Sequence, residues 1–188
     1  MSFDKLESKI GLTFANRNLP TEAFTHGSVR GKTQSKDSET YRRLEFLGDA
    51  VLRLAVSESV FRDSDGNVEK LHDTREKLVS NGSLAGAAKD LGLSKYLRGS
   101  GSGDVMNSGL VHAQLYESLT GAIFVDRGYE TASKFVEETL IREQPDRAPR
   151  TPTPKNLKRF LRTRLNRKTR RANCNLASTD PETALPST

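Results

Sequence analysis

Residues 41–49 read YRRLEFLGD. Across this stretch and the residues after it, Leu44, Leu47, Val51 and Leu54 recur at the spacing of an apolar helical stripe, which predicts a helix from Glu39 or Thr40 to about Phe61. The same run carries two acids, Glu45 and Asp49, one helical turn apart, so their side chains leave one face with Cβ atoms about 5–6 Å apart. Two readings compete for them. They are a solvated acidic stripe beside a buried one, or half of an oxygen-ligand cation site. Gly48, between them, costs roughly 1 kcal/mol against Ala in a helix interior, so it requires a packing reason.

Outward from this helix the pattern remains helical. Phe3, Leu6, Ile10 and Phe14 share a helical spacing, Asn16 to Pro20 reads as a break, and Leu19 to Phe24 restarts with Pro20 in its first turn. His26 to Glu39 is a polar loop and Arg62 to Asn67 a turn that lacks the ligands of a calcium loop. Val68 to Ser80 and Ser83 to Leu91 predict two further helices, and Gly99 to Asp104 a flexible loop without the lysine of a P-loop. Leu110 to Asp126 is another helix, with Leu115, Leu119, Ala122 and Ile123 on its apolar face. Tyr129 to Arg142 comes next with Ala132, Phe135, Val136 and Leu140 inward. Convincing strand alternation is missing, so the expected fold class is all-α.

From Gln144 the character changes. Pro145, Pro149, Pro152 and Pro154 exclude a continuous helix and mark a linker, after which Leu157, Phe160, Leu161 and Leu165 line a short basic helix that gives way to disorder. The expected organisation is a domain over 1–143, a linker over 144–154 and a basic, largely disordered tail over 155–188. The formal charge is +6, but nine bases and no acid lie between Lys155 and Arg171, which leaves about −3 for the rest. An acidic body and a basic tail imply two electrostatic tasks. The single cysteine, Cys174, has no partner in the chain, and no Cys/His cluster has zinc spacing. A soluble, intracellular, cytoplasmic protein is expected, with no membrane partner and no visible export signal.

The run RRLEFLGDAVLRL, residues 42–54, resembles the signature helix of the ribonuclease III family. Thr25 to Ser28 (THGS) is similar to its T-H-x-S segment, RGSGSGD (98–104) to its G-x-G-E loop, and LYESLTGAIFVDRG (115–128) to its second acidic helix. The resemblance covers roughly Phe3 to Leu140, and the prolines and missing strand pattern after Glu143 lead us to expect no double-stranded-RNA-binding domain of the kind common in the family.

It implies a ribonuclease III-type helical endonuclease domain that hydrolyses double-stranded RNA with Mg²⁺ in RNA processing, as a homodimer. The metal carboxylates fall on Glu45, Asp49 and Glu117, with Asp49 and Glu117 catalytic. The family's remaining aspartate is Gln114 here, which keeps a carbonyl oxygen but no charge. The leading glutamate of the signature is Arg42, placed to pair with Glu45, and Glu69 marks a possible further acidic position. Phe46, Leu47 and Val51 are the expected dimer contacts, with internal core as the alternative for any of them. Lys158, Arg159, Arg162, Arg167 and Lys168 are the expected RNA-binding bases of the tail. Gln114 and Arg42 keep a rival open: a catalytically degenerate member that serves as an RNA-binding or ribonucleoprotein structural subunit. His72, His112 and Ser57 lack partners at diagnostic spacing, and structural or solvent-facing roles are expected for the two histidines.

Overall fold

The computed structural model describes residues 2–26, 37–64, 66–99 and 108–142, with backbone alone at 37–41. The chain divides at Asp146 into two units, Met1–Asp146 and Arg147–Thr188. All described residues belong to the first. The proline linker, the basic helix and the five tail bases assigned to RNA contact lie outside them, as does most of the glycine-serine loop.

The first unit is all-α. Helix α1 (Asp4–Ile10) ends where Gly11 takes φ 63°, a left-handed cap that glycine adopts without strain. Phe14 therefore lies beyond the helix whose spacing it continues, yet it is buried. Its backbone N–H donates to Glu7 Oε1 at 2.8 Å, and Arg17 Nη1 meets the same oxygen at 2.6 Å, so the buried Glu7 carboxylate is paired. Helix α2 (Asn18–Ala23) carries Pro20 in its first turn, where a missing N–H costs nothing.

Helix α3 (Asp37–Asp63) starts two or three residues before its expected origin. Leu44 and Val51 join the core and Leu47 packs against it, whereas Leu54 is 57% exposed. Its place on the buried stripe is corrected. Ten residues of a 3.6-residue helix fall well short of three whole turns, so the stripe has rotated off the core by Leu54.

Helix α4 (Val68–Leu78) is capped by the Asn67 side chain, which accepts from Lys70 N–H at 3.0 Å. Helix α5 (Asn81–Leu91) begins earlier than Ser83 because the Ser80 hydroxyl caps it. A 3₁₀ turn (Leu93–Tyr96) brings Tyr96 against Phe3 and Phe24, with centroids 5.6 Å from each. An isolated parallel bridge joins Thr25 to Arg98, and no strand occurs among the described residues.

Helix α6 (Gly109–Val136) bends at Gly128, whose φ of 77° and ψ of 179° suit glycine alone, and runs on into a π-helical turn (Glu137–Ile141). Leu115, Leu119, Ala122, Ile123, Ala132, Phe135, Val136 and Leu140 are all buried, as their periodicity predicts. Asp126 ties the N-terminal segment to this helix by accepting from Ala15 and Asn16 N–H at 2.9 and 2.8 Å. Burial acts to raise its pKa, but these bonds and Arg127 outweigh it and hold the carboxyl below its ordinary value. Among the described residues no helix is long and apolar enough to cross a membrane.

The pairing of α3 with α6 dominates the packing. A β-carbon at Gly48 would lie 1.8 Å from the Glu117 carbonyl oxygen, and one at Gly121 only 2.1 Å from that of Leu44. The two backbones therefore touch through paired glycines, which is the packing reason Gly48 required.

Candidate active site

The glycine crossing decides where the acids go. Glu45 and Asp49 flank Gly48 on α3, Gln114 and Glu117 precede Gly121 on α6, and the close approach sets the two pairs against each other. Gln114 Nε2 donates to Glu45 Oε1 at 3.0 Å. Burial raises the Glu45 pKa, while the Gln114 bond and the nearby charge of Arg42 pull it down without cancelling the rise. Burial, then the charges of Asp49 and Glu45, push Glu117 up to about 7. Burial is the largest cause of that rise, and the charges of the two nearby carboxylates add to it.

Arg53 brings positive charge into direct contact with a site acid. Its Nε donates to Asp49 Oδ1 and Oδ2 at 2.9 and 3.1 Å, and its Nη1 lies 3.6 Å from Glu76 Oε1 on α4. Arg42 is exposed and acts on Glu45 through its charge. The guanidinium that closes on a site acid is thus one turn after Asp49 instead of one turn before Glu45. The spacing of Arg53 and Asp49 was a visible signal, since i,i+4 pairs meet on a helix. Glu76 had no such signal. Glu69 sits exposed in the first turn of α4, where a carboxylate complements the helix dipole.

As they stand, no three acid, histidine or cysteine side chains among the described residues are grouped closely enough to hold a metal ion. In chemistry the set fits a hard divalent cation. Its donors are all oxygen, three of them are carboxyl groups, and Glu117 is destabilised as an anion by burial and then by the other two. Two of the four are engaged by donors of the chain itself, Glu45 by Gln114 and Asp49 by Arg53.

The other expected residues separate by environment. Phe46 is 81% exposed, Leu47 is partly buried, and Val51 is in the core. His72 is exposed and its Nδ1 lies 3.0 Å from Arg75 Nη2. His112 is buried, has no partner for Nδ1 among the described residues, and is held below its usual pKa by burial and then by Lys89. Ser57 donates to the Arg53 carbonyl at 2.6 Å.

Fold and site together define an all-helical domain with an acidic centre at the crossing of its two longest helices. The family described as ribonuclease-III-like matches residues 16–144. Ribonuclease 3 of Chlorobium chlorochromatii is 38% identical over 144 residues, 74% of this chain and 58% of the relative. That of Halalkalibacterium halodurans is 36% identical over 146 residues, 73% and 54% of the two chains. The nuclease domain of ribonuclease III from Campylobacter jejuni superposes with a TM-score of 0.67 at 28% identity, covering 77% of this chain and 99% of that domain. The chain spans little more than half the length of the curated relatives it matches. It belongs to the ribonuclease-III-like family.

Proposed function

We propose that this chain is a Mg²⁺-dependent endoribonuclease that hydrolyses double-stranded RNA, acting as a homodimer in RNA processing. The observation that carries the reading is the glycine crossing of α3 and α6, which sets Glu45 and Asp49 against Gln114 and Glu117, with Gln114 Nε2 3.0 Å from Glu45 Oε1. Relatives named ribonuclease 3 support the activity, and a structural neighbour described as having a region involved in dimer formation supports the assembly.

Glu45, Asp49 and Glu117 would hold the cation, with the Gln114 amide as a neutral fourth member. When bound, Mg²⁺ lowers the pKa of a coordinated water and stabilises charge on the leaving oxygen. The residues of the chain supply the rest. Gln114 fixes Glu45 by donating to Oε1, which leaves Oε2 for a ligand. Glu117 holds a proton near neutrality and releases it once positive charge arrives beside it. The exposed Phe46 is the dimer contact best placed to meet a second copy, with Leu47 beside it. The tail bases Lys158, Arg159, Arg162, Arg167 and Lys168 would bring the acidic body to a polyanion by counterion release.

The test is incubation of the purified chain with long duplex RNA, with Mg²⁺ and with EDTA. Cleavage that requires Mg²⁺ and falls at least about 100-fold in Glu117→Ala is expected, since that change removes a charged ligand whose contribution is several kcal/mol. Gln114→Asp, which restores a fourth negative charge, should raise cleavage at low Mg²⁺. RNA binding without cleavage in every variant would replace the enzyme by a structural RNA-binding subunit.

A further inference from the structure

Arg53 stands among the acids without being one of the oxygen donors. Its Nε is shared between both Asp49 oxygens, at 2.9 and 3.1 Å, so the carboxylate that faces the site is already neutralised from within the chain. A divalent ion with ligand distances near 2.0–2.1 Å would meet a guanidinium on the same oxygens. The two cations compete for those oxygens, and like-charge repulsion favours moving the guanidinium aside. The second acid for Arg53 is already at hand, because Nη1 is 3.6 Å from Glu76 Oε1. Glu76 also faces Arg75, whose Nη2 lies 3.3 Å from the same oxygen, so the α4 carboxylate is steadied by its own helix. Arg53, Asp49 and Glu76 are all substantially exposed, the setting in which an ion pair is weak and exchangeable.

We propose that Arg53 is the resident counter-ion of the acidic site, bound to Asp49 when no divalent cation is present and transferred to Glu76 when one enters. The inference rests on the proposed role of Glu45, Asp49 and Glu117 as cation ligands. It gives α4 a part in the site. Glu76 ligates nothing and positions Arg53 away from the incoming ion. The transfer is a side-chain rotation, since Arg53 already spans both acids. The α3–α4 contact is then stronger in the loaded state than in the empty one.

Mn²⁺ binding to the full-length chain, monitored by the loss of the free-ion electron paramagnetic resonance signal, tests this without RNA or turnover. Arg53→Gln should bind Mn²⁺ about two- to fivefold more tightly than wild type, the scale of one partly exposed charge pair. Arg53→Lys, which keeps the charge but loses the fork that spans two acids, should bind less tightly than Arg53→Gln. Glu76→Gln should weaken binding about two- to threefold in the wild-type background and have no effect in Arg53→Gln. An equal loss in both backgrounds would show that Glu76 acts only as a nearby negative charge and would overturn the transfer. Unchanged affinity in Arg53→Gln would overturn the counter-ion role alone. Absence of Mn²⁺ binding in both wild type and Arg53→Gln would overturn the ligand assignment and this inference with it. Binding seen only in Arg53→Gln would support the proposal in its strongest form. Thermal melts of each variant confirm that these exposed substitutions leave the fold intact.

Discussion

Glu117 links the acidic site to the stability of the whole domain. Its carboxyl moves from an ordinary 4.5 to about 7 on folding, so between those values the native chain binds a proton that the unfolded chain has released. Unfolding then loses a proton, and stability falls as pH rises from about 4.5 to about 7 before levelling off. His112 acts in the opposite sense around and below 6.5, because its folded pKa is lowered and the unfolded state takes up the proton first. Comparison with a variant separates the two. In urea unfolding of the metal-free protein, Glu117→Gln should remove the downward contribution and gain stability relative to wild type at pH 8 more than at pH 5. Parallel pH profiles for the two proteins would take Glu117 out of the account. The residue is also one that the sequence singled out: Glu45, Asp49 and Glu117 were assigned through the resemblance of their motifs. The donor engaging Asp49, Arg53, lay at a legible i,i+4 spacing but outside the departures from the family signature, which drew attention to Arg42 beside Glu45.

At the scale of elements, the α3–α6 contact sets both fold and site. Gly48→Ala places a methyl against the Glu117 carbonyl and is expected to destabilise by the upper part of about 1–3 kcal/mol or more, with an altered site. Gly86→Ala is the contrast. A β-carbon there meets nothing within 4 Å, so helix propensity should stabilise that variant by about 0.5–1 kcal/mol. Chemical denaturation of the pair measures both, and equal effects would show that the crossing tolerates a methyl. Periodicity revealed the buried faces of α6 and of the first half of α3, because burial is written residue by residue in a long amphipathic helix. It failed at Leu54, where the stripe outran the helix repeat, and at Phe14, which reaches the core from beyond the Gly11 cap. Glu76 was illegible for a different reason. Its place beside Arg53 depends on how α4 lies against α3, and neither helix encodes that separately.

At the scale of the molecule, Phe46, Leu54 and Phe61 are exposed on the same helix that carries two of the acids. Under the proposed homodimer, Phe46→Asp should shift the chain to monomer in sedimentation velocity while leaving its helical content unchanged. A monomeric wild type, or an unshifted variant, would separate the acidic centre from any second copy. Val51 serves as the counterpart, because its burial ties a change there to folding and not to assembly. The mated glycines carry a last consequence. Two helices resting backbone on backbone have no compressible layer between them, and neither can slide by a fraction of a turn without collision. The acidic centre is therefore mounted like the jaws of a locked vice: rearrangement among its acids comes from rotating side chains and not from the slower parting of the scaffold.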